Sequence, residues 1–414
     1  MNTRLLLNWF YILFAGMGFG QLPVVLETDP DADGWHERSI DHDGLTRWYL
    51  IYRPTDVPEN APVVFLLHGG GGSMLNNFRD NGGASRHWPI LAEREKVILV
   101  APNGTDTENG IDIDTKGDTQ FWNDLRVGDQ ASSDQDDVGF LRKLVDEVIE
   151  GETADPLRVY FTGLSNGGLM TYRVVMEMAG RVAGAASFVA DMPVDNANFM
   201  PLQRRVPIFL SWGEEDPLMP YGGEPGIFRS AVDSVAWWVG QNGALSGSPV
   251  SSVLPDLNPN DGCRVNQTEY EAGPNGAPVV FWSVEGAGHT MPTVQHFGLA
   301  PPFFERIVGK QCGDVESVEE VWSFWEDKIV PLEPELSVDL IEQTQSGKRL
   351  LLSFDGGYPG GKVMVQSSTE LSGETSWSDE FEASLGDTGN MGQSEIVVSD
   401  DKLFLRAVSL PLGR

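Results

Sequence analysis

The stretch that most constrains the fold of this chain runs from Val159 to Met178. It begins with β-branched and aromatic residues that predict a buried strand, and it ends with long apolar residues at helical spacing. Between them lies Gly163-Leu164-Ser165-Asn166-Gly167, a Gly-x-Ser-x-Gly motif at a direct strand-to-helix turn. Such a tight turn leaves no room for bulky residues around the serine. It lifts the Ser165 hydroxyl above the sheet and points a helix N-terminus at it, which favours a nucleophile beside an anion-binding site.

The segments around this motif predict an α/β architecture. Apolar runs typical of buried parallel strands lie at 61–67, 96–101, 182–190, 207–212 and 278–284. Helical patterns occur between and after them, as at 136–151 and 314–328. Because strands alternate with helices over residues 45 to 330, we expect a doubly wound, mostly parallel sheet.

The length of 414 residues indicates more than one domain. Residues 1–20 carry one positive charge and an apolar stretch that is short for a membrane span, which favours a signal peptide over a membrane anchor. The protein is therefore expected to be secreted, extracellular or periplasmic. The α/β domain is expected over 21–330, followed by a linker at 331–335. Short alternating strands over 336–414 predict a small, sandwich-like all-β accessory module.

The net charge of −33 limits the partners of the chain. Nucleic acids and anionic membrane surfaces need a basic patch, so neither is expected to bind. A polyanionic substrate would be repelled as well, whereas neutral polymers and small esters are compatible with this charge. We interpret the acidity as a solvated, salt-tolerant surface.

The two cysteines, Cys263 and Cys312, are an even pair, which favours a disulfide in an exported protein, although a reduced buried pair is the alternative. The loop between them contains His289, a candidate catalytic base. The sequence has no His-x-x-x-His or His-Glu-x-x-His motif, so we expect neither a metal site nor a cofactor.

A serine hydroxyl needs a base to take its proton, and the base needs an orienting carboxylate. Two histidines follow Ser165, and we favour His289 over His296 because it follows a predicted strand in a glycine-rich loop. Spacing gives Asp216 a modest lead as the acid. The other candidates, which also follow predicted strands, are Glu214, Glu215 and Asp191.

Two further segments are candidates for the site. His68-Gly69-Gly70-Gly71-Gly72 ends a buried strand, and its backbone amides predict the second half of an oxyanion hole, with a flexible glycine loop as the alternative. Phe121-Trp122-Asn123 is an aromatic island in a long polar loop, where it either faces the substrate or packs on the core. The candidate substrate-binding residues are Trp122, Trp212 and His68.

Five sequence blocks occur in an order and at a spacing that resemble a known family. They are His68-Gly69-Gly70, Asp136-Asp137-Val138-Gly139-Phe140-Leu141, Gly163-Leu164-Ser165-Asn166-Gly167-Gly168, Gly213-Glu214-Glu215-Asp216-Pro217-Leu218-Met219-Pro220-Tyr221-Gly222-Gly223 and Gly286-Ala287-Gly288-His289-Thr290-Met291-Pro292. The blocks resemble the secreted α/β-hydrolase esterases that include polyhydroxybutyrate depolymerases, feruloyl esterases and acetylxylan esterases. The resemblance implies Ser165 as nucleophile, Asp216 as acid, His289 as base, and the Gly70 and Asn166 amides as oxyanion donors.

The expected function is therefore a secreted serine carboxylic ester hydrolase. Its expected substrate is a feruloyl or acetyl ester on a plant or algal polysaccharide. A polyhydroxybutyrate depolymerase, which would act on a polyester, is the alternative within this class. A non-catalytic carbohydrate-binding protein on the same fold is the alternative of another class, and the complete set of Ser165, Asp216 and His289 argues against it.

Overall fold

The computed structural model describes residues 34–330 apart from 81–82, 107–112, 128–130, 195–201, 203, 274–275 and 300–301, and beyond residue 330 it describes the backbone of six strands. The predicted signal peptide and residues 331–334 of the predicted linker lie outside the described residues. The chain divides into two compact units, Met1–Ile329 and Val330–Arg414.

The strands of the first unit form one ten-stranded sheet. They are β1 (Trp35–His42), β2 (Leu45–Tyr52), β3 (Val63–Leu67), β4 (Ile98–Pro102), β5 (Val159–Leu164), β6 (Gly184–Phe188), β7 (Ile208–Gly213), β8 (Val250–Val253), β9 (Arg264–Tyr270) and β10 (Val279–Glu285). Their order across the sheet is β1-β2-β4-β3-β5-β6-β7-β10-β9-β8. The six central strands, β4, β3, β5, β6, β7 and β10 in sheet order, are parallel to one another. The outer strands β1, β2, β9 and β8 pair antiparallel with their neighbours. This arrangement confirms the predicted α/β-hydrolase fold.

The α-helices described in this unit are α1 (His87–Glu95), α2 (Asp137–Glu152), α3 (Asn166–Met178), α4 (Ala231–Gln241), α5 (Pro302–Val308) and α6 (Ser317–Trp325). The sequence explains how α2 begins, because the Asp136 side chain caps it by accepting a hydrogen bond from the Gly139 N–H at 3.0 Å. Its apolar face, which includes Leu141 and Leu144, is buried in the core. Among the described helices, none combines the length and apolarity needed to cross a membrane.

Two predicted elements are shorter in the structure. The strand expected at 182–190 is β6, Gly184–Phe188, because the chain leaves the sheet at Val189, whose φ is +46°. The helix expected at 314–328 is α6, Ser317–Trp325. Asp314 instead accepts a hydrogen bond from the Asn258 N–H at 2.9 Å, so it supports a neighbouring loop.

The second unit contains two three-stranded antiparallel sheets. Its strands are β11 (Glu335–Thr344), β12 (Gly347–Asp355), β13 (Lys362–Ser368), β14 (Ser378–Ser384), β15 (Met391–Val398) and β16 (Phe404–Leu410). The order is β11-β12-β15 in one sheet and β14-β13-β16 in the other. Strand β11 begins at Glu335, the last residue of the predicted linker, 331–335.

Candidate active site

The turn that carries Ser165 is strained in the way that the sequence motif requires. Ser165 has φ +57° and ψ −120°, a conformation that residues with a side chain seldom adopt. A Cβ at Gly163 would overlap the Gly167 carbonyl, and a Cβ at Gly167 would overlap the Leu67 carbonyl. The Ser165 N–H donates to the Phe188 carbonyl at 2.9 Å, which ties the turn to the end of β6. The nucleophile candidate is therefore held by its backbone at the edge of the sheet.

Asp216 and His289 contact each other directly at the same edge. Asp216 Oδ2 lies 2.7 Å from His289 Nδ1, and both side chains are almost completely buried. The other carboxylate oxygen, Oδ1, accepts hydrogen bonds from the Leu218 and Met219 N–H groups at 2.8 and 2.9 Å. The backbone N–H of His289 donates to the Val308 carbonyl at 2.5 Å, which holds the histidine loop against the end of α5. The carboxylate can thus orient the imidazole with its own position fixed by two backbone amides.

Of the four candidate acids, only Asp216 contacts His289 among the described residues. Glu214 and Glu215 are exposed, and Glu214 accepts a hydrogen bond from the Ser283 hydroxyl. Asp191 is buried, and no protein group in the described part of the chain forms a hydrogen bond with its carboxyl.

The other candidate base, His296, has its ring centre 5.9 Å from that of His87. Because Ser165, Asp216 and His289 follow β5, β7 and β10, they share the carboxyl edge of the parallel sheet, where α/β folds place their sites. Ser165 Oγ forms no hydrogen bond with a described residue in this structure. Such bonds are often long in a free enzyme and shorten in the complex with the substrate.

The loop after β3 is shaped by His68. The Gly104 N–H donates to His68 Nε2 at 2.9 Å, so the ring proton is on Nδ1, which donates to the Gly69 carbonyl at 2.8 Å. Burial lowers the pKa of His68 to about 4, so the ring is neutral at pH 7. Because a trans peptide group is planar, fixing the Gly69 carbonyl turns the Gly70 N–H in the opposite direction. The Gly72 N–H, at 3.0 Å, is a second donor to the same carbonyl.

The other oxyanion candidate is the backbone N–H of Asn166. Asn166 is the first residue of helix α3, so this N–H has no acceptor inside the helix. Within the described residues, neither this group nor the Gly70 N–H donates to a protein acceptor. The Asn166 side chain anchors the helix start, because its Oδ1 accepts from the Trp122 N–H at 2.8 Å and its Nδ2 donates to Asp124 at 2.5 Å. Asp124 is in turn paired with buried Arg126 at 2.6 Å.

The prediction that Trp122, Trp212 and His68 bind substrate is wrong for this structure, because all three side chains are 0% exposed. The Trp122 indole N–H donates to the His68 carbonyl at 3.0 Å, so these two residues support the oxyanion loop from within. Trp212 packs in the core, with its ring centre 5.8 Å from that of Phe281. The residue that faces the loop is Phe121, which is partly exposed and lies 3.2 Å from the position of a Cβ on Gly70.

The structure joins Cys263 and Cys312 in a disulfide with a Cα–Cα distance of 5.6 Å. The Thr293 N–H donates to the Cys312 carbonyl at 2.9 Å, which links the bridge to the segment after His289. Asp261 beside the bridge completes the one group of potential metal ligands that the described residues bring together. Because its two sulfurs are bonded to each other, this group offers no thiolate to a metal.

The parallel sheet in this strand order, with the strained Ser165 turn after β5 and the buried Asp216–His289 pair after β7 and β10, has the architecture of the α/β-hydrolase fold. The model of the phospholipase/carboxylesterase family matches residues 53–224, which include Ser165 and Asp216 and end before His289. A bifunctional acetylxylan esterase/xylanase of Neocallimastix patriciarum is 25% identical over 253 residues, covering 60% of this chain and 31% of that protein.

Two other relatives carry different substrate names. Feruloyl esterase B of Piromyces equi is 29% identical over 233 residues, covering 52% of this chain and 39% of that protein. Poly(3-hydroxyalkanoate) depolymerase C of Paucimonas lemoignei is 29% identical over 133 residues, covering 32% of this chain and 28% of that protein. This chain thus spans less than two fifths of the length of each of these relatives. The chain is thus similar to carboxylesterases of the α/β-hydrolase fold, in agreement with the resemblance seen in the sequence.

Proposed function

We propose that this chain is a secreted serine esterase in which Ser165 is the nucleophile, His289 the base and Asp216 the acid. The observation that carries the proposal is the 2.7 Å contact between Asp216 and His289 Nδ1 at the sheet edge where the strained turn presents Ser165. This contact leaves Nε2 of His289 as the nitrogen that accepts a proton.

In the first half of the proposed reaction, Ser165 Oγ bonds to the ester carbonyl carbon while its proton moves to His289 Nε2. The carbonyl oxygen becomes an oxyanion that receives hydrogen bonds from the Gly70 and Asn166 N–H groups. When the carbonyl re-forms, the bond to the alcohol oxygen breaks. That oxygen takes the proton from His289 and leaves as the free alcohol.

In the second half, water attacks the acyl-enzyme and gives one proton to His289 Nε2. The second oxyanion collapses, the bond between the acyl carbon and Ser165 Oγ breaks, and the proton returns to Ser165. The products are a carboxylic acid and an alcohol, and the enzyme is regenerated. No step requires a group from outside the chain other than water.

The substrate we propose is an acetyl or feruloyl ester on a polysaccharide. Two of the relatives named above are an acetylxylan esterase and a feruloyl esterase, and a neutral polysaccharide is not repelled by a chain of net charge −33. A polyester is the second candidate, supported by the match to the poly(3-hydroxyalkanoate) depolymerase. The same chemistry would cleave either substrate.

The test compares wild type and Ser165→Ala on methyl ferulate, p-nitrophenyl acetate and a polyhydroxybutyrate suspension. Ser252→Ala is the matched control, since it removes an exposed hydroxyl from the edge strand β8. We expect wild type and the control to hydrolyse the ferulate or acetate ester, and Ser165→Ala to be inactive.

Clearing of the polymer without release of ferulate or acetate would assign the enzyme to the depolymerases. If folded wild-type protein and Ser165→Ala were equally inert on all three substrates, the esterase proposal would be rejected and a binding function would take its place.

A further inference from the structure

The described residues contain a second buried carboxyl group near the site that the proposed reaction does not use. Asp191 follows β6, the strand between those that lead to Ser165 and to Asp216, and its side chain is fully buried. Both carboxyl oxygens lack a hydrogen-bond partner among the described residues. A buried polar group without a partner costs free energy, so an ionised, unpaired carboxylate is not expected there.

The backbone around Asp191 prevents the side chain from turning out to solvent. Val189 has φ +46°, an outlier for a β-branched residue, and its N–H donates to the Ser211 carbonyl at 2.7 Å. The Tyr172 hydroxyl donates to the Ala190 carbonyl at 3.0 Å. On the other side, the Met192 N–H donates to the Ser234 hydroxyl at 3.3 Å and the Met192 carbonyl accepts from the Arg229 N–H at 2.8 Å. Hydrogen bonds thus fix the backbone on both sides of Asp191.

The surroundings of the carboxyl favour its neutral form. Burial, and then the negative charge of Asp216, raise the pKa of Asp191 to about 8. The adjacent Trp212 indole N–H acts against this rise, although the two groups do not meet hydrogen-bond geometry.

Of the other groups nearby, the Tyr172 phenol on α3 is neutral because burial raises its pKa, and His289 contacts Asp216. No cationic side chain of the described residues offsets the charge that an ionised Asp191 would carry.

We propose that Asp191 is a positioning residue for the Asp216–His289 pair, held as a neutral carboxylic acid so that this buried site carries one negative charge. Ionisation of Asp191 would place a second negative charge beside Asp216 without a counter-ion. Because like charges in a buried site repel strongly, this loss of a proton sets the alkaline limit of the site. The kinetic part of this inference rests on the proposed esterase function, and the part about the charge of Asp191 does not.

The kinetic test is the pH dependence of kcat/KM for p-nitrophenyl acetate in wild type and Asp191→Asn. Asparagine has the shape of the neutral acid but cannot ionise. The matched control is Glu215→Gln, which removes an exposed carboxylate next to Asp216. Each rate is corrected with Ser165→Ala and measured where circular dichroism shows folded protein.

We expect the ratio of kcat/KM in wild type to kcat/KM in Asp191→Asn to fall roughly thirtyfold between pH 6.5 and pH 9.5. This is the extent to which a group with a pKa of about 8 is ionised at pH 9.5. The control Glu215→Gln should show the same fall as wild type. If the alkaline fall is the same in Asp191→Asn as in wild type, the positioning role is overturned.

The second measurement is urea unfolding of the same three proteins from pH 5 to 9.5, which needs no activity. The native state keeps the Asp191 proton up to about pH 8, whereas the unfolded state loses it near pH 4. Folding therefore binds a proton in this window, and wild type loses stability as the pH rises through it. We therefore compare the equilibrium constants for unfolding of wild type and of Asp191→Asn. Their ratio should increase by at most about tenfold per pH unit up to pH 8 and stay constant above it.

A constant difference between wild type and Asp191→Asn across this range would overturn the neutral state of Asp191. If Asp191→Asn does not fold, the decisive measurement is the infrared band of protonated carboxyl groups in wild type. Its loss through pH 8, without unfolding, supports the proposal, and its absence at pH 6.5 refutes it. A wild type without esterase activity at any pH would reject the proposed function, while the unfolding data would still decide the charge of Asp191.

Discussion

The substitution Asp216→Asn tests the role of the acid with particular clarity, because the structure determines how the asparagine must lie. In wild type, Asp216 Oδ1 accepts hydrogen bonds from the Leu218 and Met219 N–H groups. Only the amide oxygen of asparagine can replace this acceptor, so its NH2 group must face His289 Nδ1. The NH2 group then donates to Nδ1, and the ring proton moves to Nε2.

An imidazole with its proton on Nε2 cannot take a proton from Ser165. We expect kcat to fall by about 10⁴-fold with little change in KM, which corresponds to a loss of about 5 kcal/mol of transition-state stabilisation. The assay is hydrolysis of p-nitrophenyl acetate at pH 7, with the protein concentration measured by absorbance and the folded state checked by circular dichroism. The free energy of unfolding in urea should be close to that of wild type. The asparagine side chain still makes three hydrogen bonds, to the Leu218 and Met219 N–H groups and to His289.

The control for this substitution is Glu215→Gln, which makes the same chemical change at the exposed neighbour. It should retain activity within about twofold of wild type, as expected for a surface position. An Asp216→Asn enzyme within tenfold of wild type would show that another carboxyl group orients His289, and the tautomer argument would then be wrong.

Three further experiments test the supports of the site and of the fold. His68→Ala should lower kcat by up to about 10²-fold with a small effect on KM, because the oxyanion loop loses the ring that orients it; kinetics on a soluble ester measure this. The double replacement of Cys263 and Cys312 by serine should lower the free energy of unfolding by about 4 kcal/mol on the chain-entropy model for the 49-residue separation, as measured in urea. Arg47→Met leaves the buried Asp137 carboxylate without its cationic partner and should cost about 3–5 kcal/mol in the same measurement. Arg38→Met removes a partly exposed arginine from Glu152, which keeps Arg53 as a partner, and should cost less than about 1 kcal/mol.

Those parts of the fold and site that depend on local sequence could be predicted. The strand and helix around Ser165 were predicted because hydrophobic periodicity and glycine placement are local signals. The order of Ser165, Asp216 and His289 follows from the way in which successive parallel strands bring their carboxyl ends to one edge. Charge and spacing alone left four carboxylates open as the acid, since the choice depends on which carboxyl group turns toward the imidazole.

The sequence predicted the buried strands but not the burial of the side chains beside the site motifs. Trp122, Trp212 and His68 are large or polar residues beside the motifs, and nothing in their sequence context distinguishes a substrate-facing side chain from a supporting one. The difference arises from tertiary contacts, such as the Trp122 N–H bond to the His68 carbonyl at 3.0 Å, which join segments far apart in the chain. The strand end at Val189 was missed for a related reason, because the positive φ there is imposed by the surrounding structure on a residue that favours strands.

Backbone hydrogen bonds hold the loops of the proposed triad in addition to the contact between the Asp216 and His289 side chains. At the ends of the strands, the Ser165 N–H donates to the Phe188 carbonyl at 2.9 Å. The Glu214 N–H donates to the Val284 carbonyl at 3.0 Å, and the Glu215 N–H donates to the Ala287 carbonyl at 2.9 Å. These bonds join the nucleophile turn to β6 and the acid loop to the histidine loop, and none involves a triad side chain. Removing the Ser165 side chain should therefore remove the nucleophile and leave the geometry of the loops unchanged, whereas the Asp216 side chain also holds the Leu218 and Met219 amides of its own loop.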